Sequence, residues 1–216
     1  MGEKYISILW NYDDSSIEEC SEKIIKTIVF LEGLNLDLSQ WYRAKRPVKK
    51  SELKPISFST DKVLGILSER VLSDPGESFL GYQLSLKSSE NFVDSSFLNI
   101  HCGARSQTTG NRLVLSFSDN IASEIDSSNI LKELSSIWTP DVGIYSTESF
   151  RSSLEKISSK KILIGLRTYL GDRSKFQLNY KGVNSTENNE AILLNTEEFN
   201  EIDLMDLNDQ IIGVIV

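Results

Sequence analysis

Two cysteines and one histidine among 216 residues leave little from which to build a metal or redox centre. Cys20 and Cys102 cannot make a disulfide framework. With His101 as the only imidazole, no ordinary structural zinc site can be assembled, and no metal or cofactor is expected. Long apolar runs are lacking too. The terminal IIGVIV is among the longest, far short of the ~20 residues that cross a bilayer. The opening MGEKYISILWNYDD has no basic region leading into an apolar core and a small-residue cleavage site, so no signal peptide is expected and the cytoplasm is the simplest location. Basic residues are in the minority, 23 against 31 acids, for a net charge of -8. That field opposes general nucleic-acid binding, which depends on neutralising phosphates, and favours a basic partner. No membrane partner is expected either.

Catalytic signatures are missing as well. The chain has no G-x-x-x-x-G-K-[ST] loop, no strand-coupled G-x-G-x-x-G, no H-E-x-x-H and no G-x-S-x-G elbow. His101 and Cys102 are neighbours, but on one strand successive side chains point to opposite faces, so they could not share a proton. Asp13-Asp14, Glu18-Glu19 and Asp203-x-x-Asp206 can each be written as a carboxylate pair; solvated helix faces explain them more simply. Pro140-Asp141 resembles the start of a restriction-type nuclease motif, yet no [DE]-x-K follows it, and the nuclease reading is rejected. No catalytic residue is assigned. Should an enzyme hide here, Asp141 and Glu148, near a strand–helix junction, would be the first suspects. A general protein-interaction module is the other alternative.

What is present suits an ordinary folded protein, 39% hydrophobic and 25% charged, long enough to bury a core without staples. Lys4 to Trp10 alternates as a first strand. A helix is expected from about Ser15 to Gly33, with a capping box at Ser15-x-x-Glu18 and an apolar stripe at Ile17, Cys20, Ile24, Ile28 and Leu31. A shorter helical piece should carry Leu38, Trp41 and Tyr42. The segment from Arg43 to Lys54 is basic and broken by Pro47, a solvated connector. A helix from about Thr60 to Leu72 and a turn at Ser73-Asp74-Pro75-Gly76 follow.

Three strands come next, around Leu80–Leu86, Phe97–Cys102 and Arg112–Phe117, read as an antiparallel meander with one polar face. The helix Ser127–Trp138 can cover its other face. A strand at Asp141–Thr147, a helix at Glu148–Ser158, an apolar segment at Ile162–Leu170 and a strand at Ala191–Leu194 complete the order. Ile211 to Val216 is mostly β-branched and favours a strand; a terminal helix from Ile202 is the competing reading. The expected fold class is α+β, a central, mainly antiparallel sheet with helices on one face and at the ends, in one domain spanning 1–216.

Charge is segregated. After Lys181 there is no basic residue, whereas Glu187, Glu190, Glu197, Glu198, Glu201, Asp203, Asp206 and Asp209 are acidic. These eight account for the whole net charge, the preceding residues being balanced. Such a stretch is either a solubilising surface or a docking face for a basic partner, with fast, salt-sensitive association.

Several pieces recur in a familiar order. Trp10 precedes a helix holding Glu18-Glu19-Cys20; Trp41-Tyr42 adjoins the basic segment; Leu80-Gly81 opens a strand and Cys102-Gly103 ends the next. Gly110-Asn111 precedes Leu113-Val114-Leu115, Trp138-Thr139-Pro140-Asp141 closes a helix, and Tyr169-Leu170 and Thr196-Glu197-Glu198-Phe199 follow. This ordered set resembles the immunity protein 52 family of bacterial polymorphic-toxin systems over nearly the whole chain. Lys161 to Thr168 departs from it, where a Gly-Trp pair is the more familiar form. The resemblance implies an α+β protein that binds and neutralises a toxin domain encoded beside it, typically a nuclease of restriction-endonuclease-like fold. It implies no catalytic residue. Gly81, Gly103 and Gly110 are expected at turns or close backbone approaches, and the tryptophans in the core. A nuclease must hold a phosphate backbone in a basic cleft, so the eight carboxylates of the acidic segment are the candidate toxin-contacting residues.

Overall fold

In a computed structural model the described residues are 4–11, 13–34, 38–44, 54–73, 80–91, 95–105, 110–118, 121, 125–171, 183–185, 191–196 and 199–215. The chain divides into two compact units, one of residues 10–125 and one of residues 1–9 with 126–216.

The first unit begins where β1 (Lys4–Trp10) ends and continues through α1 (Ile17–Glu32), β2 (Tyr42–Arg43), α2 (Thr60–Ser73), β3 (Tyr82–Lys87), β4 (Phe97–Cys102) and β5 (Asn111–Phe117). Strands β2 to β5 form an antiparallel ladder in sequence order, with Tyr42 opposite Lys87, Tyr82 opposite Cys102 and Phe97 opposite Ser116. The expected meander is therefore present. Alternation does the work: Leu84, Leu86, Leu98, Ile100, Leu113 and Leu115 are all buried, each worth about 1.5–3 kcal/mol relative to exposure. Helix α2 packs on β3 and α1 on α2, with Val63, Ile66 and Leu67 buried.

Two local expectations shift. The capping box of α1 sits one residue later: Ser16 Oγ accepts the Glu19 amide at 3.2 Å, and Glu19 Oε2 accepts the Ser16 amide at 2.7 Å. Ser15 is drawn off by Asp13, whose Oδ1 accepts its amide. The expected helical piece at Leu38–Tyr42 does not form: residues 38–41 are irregular, Tyr42 and Arg43 pair with Lys87 and Leu86, and the Trp41 carbonyl accepts the Ile56 amide at 2.8 Å. Leu38 and Trp41 are nonetheless fully buried. Most of the basic connector and the Asp74–Gly76 turn lie outside the described residues; at the connector's rim, Arg43 Nη1 is 2.8 Å from Glu69 Oε1.

The second unit carries β1, α3 (Ser127–Trp138), β6 (Val142–Thr147), α4 (Glu148–Glu155), β7 (Arg167–Leu170), β8 (Val183–Ser185), β9 (Ile192–Asn195) and α5 (Glu201–Ile215). Its ladder runs β1-β6-β7-β9-β8 and is antiparallel throughout. Helix α3 keeps the predicted bounds, and its packing partners are β6 and β7. Helix α4 ends at Glu155, short of the expected Ser158. The core gathers Val142, Ile144, Leu163, Ile164, Leu170, Ile192 and Leu194 with Leu204, Leu207 and Ile211 of α5.

The last three name the largest correction: residues 201–215 are helical, and the β-branched end does not form a strand. Strand propensity spans only about 1 kcal/mol. A helix lets Leu204, Leu207 and Ile211 enter the core together, and that burial is larger. Two antiparallel ladders with five helices among the described residues make an α+β protein, as expected.

Candidate functional site

Helix α5 presents the described part of the acidic segment. Asn200, just before it, accepts the amides of Ile202 and Asp203 on Oδ1, both at 3.0 Å, and donates from Nδ2 to Asp203 Oδ2 at 2.8 Å. Two otherwise orphaned helix donors are thus satisfied, and Glu201 and Asp203 in the first turn favour the positive end of the helix dipole.

The inward stripe is Leu204, Leu207, Asn208 and Ile211, all buried. At 100° per residue the opposite face is Ile202, Asp206, Asp209 and Gly213, and each of these is exposed. Asp209 Oδ2 lies 2.7 Å from Lys160 Nζ, and Asp206 Oδ2 accepts from Gln210 Nε2 at 3.1 Å.

Asn208 fixes which face turns outward. Its Oδ1 accepts the Leu163 amide at 2.7 Å and its Nδ2 donates to the Lys161 carbonyl at 3.0 Å. A fully buried amide that satisfies two backbone groups of the 161–163 segment holds the helix in one rotation, since any other leaves those groups unpaired.

Of the eight predicted contact residues, Glu201, Asp203, Asp206 and Asp209 come together on α5, with Asp203 turned toward the flank. Glu187, Glu190, Glu197 and Glu198 lie outside the described residues. Sequence reading missed Ile202, which is 81% exposed, because no face can be assigned to it while strand and helix both remain open for the terminal segment. It also missed Asn208, a lone polar residue inside an apolar helical repeat, which was a readable signal.

A second polar centre belongs to the first unit. Asp13 is not part of a solvated helix face; it is buried. Its Oδ2 accepts the Trp10 indole N–H at 3.1 Å and the Gly103 amide at 3.0 Å, and its Oδ1 accepts the Ser15 amide at 3.0 Å. Burial works against the charge, but hydrogen bonds from Ser15, Gly103 and Trp10 outweigh it and hold the carboxyl below its ordinary value. Beside it Asn111, also buried, accepts the Ala104 amide at 2.8 Å and donates to the carbonyls of Asn11 and Ala104.

Gly103 and Gly81 both have positive φ, +70° and +79°. A Cβ on Gly103 would lie 2.8 Å from the Tyr82 ring, and one on Gly81 would lie 2.7 Å from the Ala104 nitrogen. Gly110 has neither a positive φ nor, among the described residues, any atom within 4 Å of its would-be Cβ, so the close-approach alternative does not apply to it.

As predicted, His101 and Cys102 part. Nε2 of His101 lies 2.6 Å from the Leu80 carbonyl and Nδ1 lies 3.2 Å from that of Gly110. The Cys102 thiol is buried against Cys20, and the Cys20 contact together with burial keeps it protonated far above the ordinary thiol range. These groups are structural in geometry: the polar atoms described at Asp13 and Asn111 are aimed at this chain's own backbone or at the side chains of Trp10 and Ser15.

The two carboxylates first suspected of catalysis, Asp141 and Glu148, do not converge. They flank opposite ends of β6, about 20 Å apart at the rise of a strand. Among the described residues no group of three His, Cys, Asp or Glu side chains could hold a metal ion. No helix of the described residues is long and apolar enough to cross a membrane.

Comparison with known proteins gives two findings. The family model described as immunity protein 52 matches residues 3–177, ending ahead of the acidic segment. The fold is similar to that of the Pseudomonas aeruginosa T6SS protein PA0821, with a TM-score of 0.53, 11% identity, and coverage of 99% of this chain and 74% of that one. At that identity the likeness is one of fold. No curated protein matches in sequence.

Proposed function

The chain belongs to the immunity protein 52 family, and from that premise we propose that it neutralises a cognate antibacterial toxin domain by stoichiometric binding, without turnover. We propose further that the toxin is a nuclease with a basic cleft and that the acidic segment contacts it. One observation carries the second step: the whole excess of negative charge is confined to residues 182–216, and Glu201, Asp206 and Asp209 stand exposed on one helix. Carboxylates on a rigid helix can occupy positions that phosphates would take in such a cleft, or cover the surface beside it. The rest of the chain, with balanced charge, supplies no comparable attraction. Long-range attraction of this kind acts chiefly on the rate of encounter.

Co-expression with the toxin domain encoded by the neighbouring gene tests this reading, scoring survival and co-purification. Rescue together with a one-to-one complex supports it; rescue without any complex overturns the stoichiometric mechanism in favour of turnover. Reversing the charges of Glu197, Glu198 and Glu201 together should slow association and raise the Kd. An unchanged affinity at low salt sinks the acidic-contact reading while leaving immunity intact.

A further inference from the structure

The outward face of α5 is not uniformly acidic. Its first position is Ile202, and among the large hydrophobic side chains described as exposed this one is the most open, at 81%. Asp206 lies one turn away along the same face and Asp209 two turns away, and Glu201 is adjacent. A helix start offers no reason of its own for isoleucine: β-branching lowers helix propensity, and acidic residues suit the first turn better.

The backbone beneath Ile202 is held firmly. Asn200 caps its amide at 3.0 Å, and the buried Asn208 fixes the rotation of the helix through Leu163 and Lys161. The side chain therefore sits on a pre-organised scaffold, so little ordering entropy is lost when it is covered.

We propose that Ile202 is the apolar anchor of the toxin-binding face, and that the cognate toxin meets it with an apolar socket rimmed by basic side chains. This rests on the immunity reading above and assigns the contact that reading leaves open. The division of labour follows from physics. Glu201 and Asp206 steer a basic surface into place and make binding salt-dependent, while Asp209 is already paired with Lys160. Ile202, once enclosed, leaves water and slows dissociation. The partner is a protein surface rather than a nucleic acid, because a phosphate backbone would be repelled by the same carboxylates.

The test measures binding of the full chain to an inactive form of the toxin domain encoded by the neighbouring gene, at low and moderate salt. Ile202→Asp should weaken affinity by about 30-fold, mainly through faster dissociation, whereas Ile202→Leu should stay within about threefold. The paired change Glu201→Gln with Asp206→Asn should instead slow association and flatten the salt dependence. Because Ile202 is exposed, its substitutions should not lower Tm, and Ile202→Asp at the positive end of the helix should if anything raise it slightly; Tm is measured alongside. Wild-type binding with Ile202→Asp at equal affinity overturns the anchor and leaves the immunity reading standing. No binding by the wild-type chain overturns both.

Discussion

Asp13 Oδ2 and the backbone amide of Gly103 meet at 3.0 Å across 90 residues of sequence. The contact fastens the loop after β1 to the end of β4, and the carboxylate's remaining lone pairs go to Trp10 and Ser15. A buried charge is tolerated here because three protein N–H donors are aimed at it.

Asp13→Asn should therefore destabilise the protein by about 2 kcal/mol near neutral pH, since its amide nitrogen must face a donor. The folded carboxyl titrates below its ordinary value, so its contribution is fully present above the unfolded pKa of about 3.9 and is lost as pH falls through the folded one. Urea unfolding of both proteins across pH 7 to 2.5 checks this: the gap should hold at the upper end and narrow below about pH 4. A gap that widens with acid would contradict the sign.

Gly81 and Gly103 take positive φ against tight surroundings, whereas Gly110 has open space. Alanine at either of the first two should cost about 2–4 kcal/mol, from the left-handed backbone and the displaced neighbours. Alanine at Gly110 should stay within about 0.5 kcal/mol. Thermal melts of the three variants separate these cases.

Thr139 closes α3 at φ 46°, ψ 56°, the one non-glycine with positive φ among the described residues. A β-branched side chain is strained there. Replacing it with glycine should raise stability by about 1 kcal/mol, visible as a shift of the urea midpoint at unchanged slope.

Asn208→Ala removes both partners from the Leu163 amide and the Lys161 carbonyl, in a buried setting. A loss of about 2–3 kcal/mol is expected, with faster amide exchange at Leu163 ahead of global unfolding. Equal exchange in mutant and wild type would mean that Asn208 does not hold this segment.

Cys20 and Cys102 are both buried, and the Cys102 thiol is held in its protonated form. Neither should react appreciably with a thiol reagent in the native protein, and both should react on unfolding. Rapid native labelling would show that α1 lifts readily from β4.

The elements with a clean period were legible from residues alone. Leu84, Leu86, Leu98, Ile100, Leu113 and Leu115 alternate, and the meander formed as read. Ile130, Leu131 and Leu134 step at helical spacing, and α3 kept its bounds. The candidate site was legible as a charge count but not as a surface. Which carboxylates share a face with Ile202 depends on whether 201–215 is helix or strand, and six consecutive apolar or glycine residues carry no period to decide it.

Composition and charge thus determined, before any fold, that this chain has too few cysteines and histidines for an ordinary zinc set, no long apolar run and a net negative charge contributed wholly by residues 182–216. The order of its tryptophans, glycines and strands determined the family. Tertiary structure alone decided that Ser16 rather than Ser15 caps α1, that Tyr42 joins a strand, that Asp13 is buried and that residues 201–215 are helical. For Asp13, Tyr42 and the C-terminal helix the deciding energy came from partners distant in sequence, namely Gly103, Lys87 and, through Asn208, Leu163; the cap of α1 was decided close by, by Glu19 and by the hold of Asp13 on Ser15. Local propensities differ by about 1 kcal/mol or less between these alternatives, and one buried hydrogen bond or leucine outweighs that.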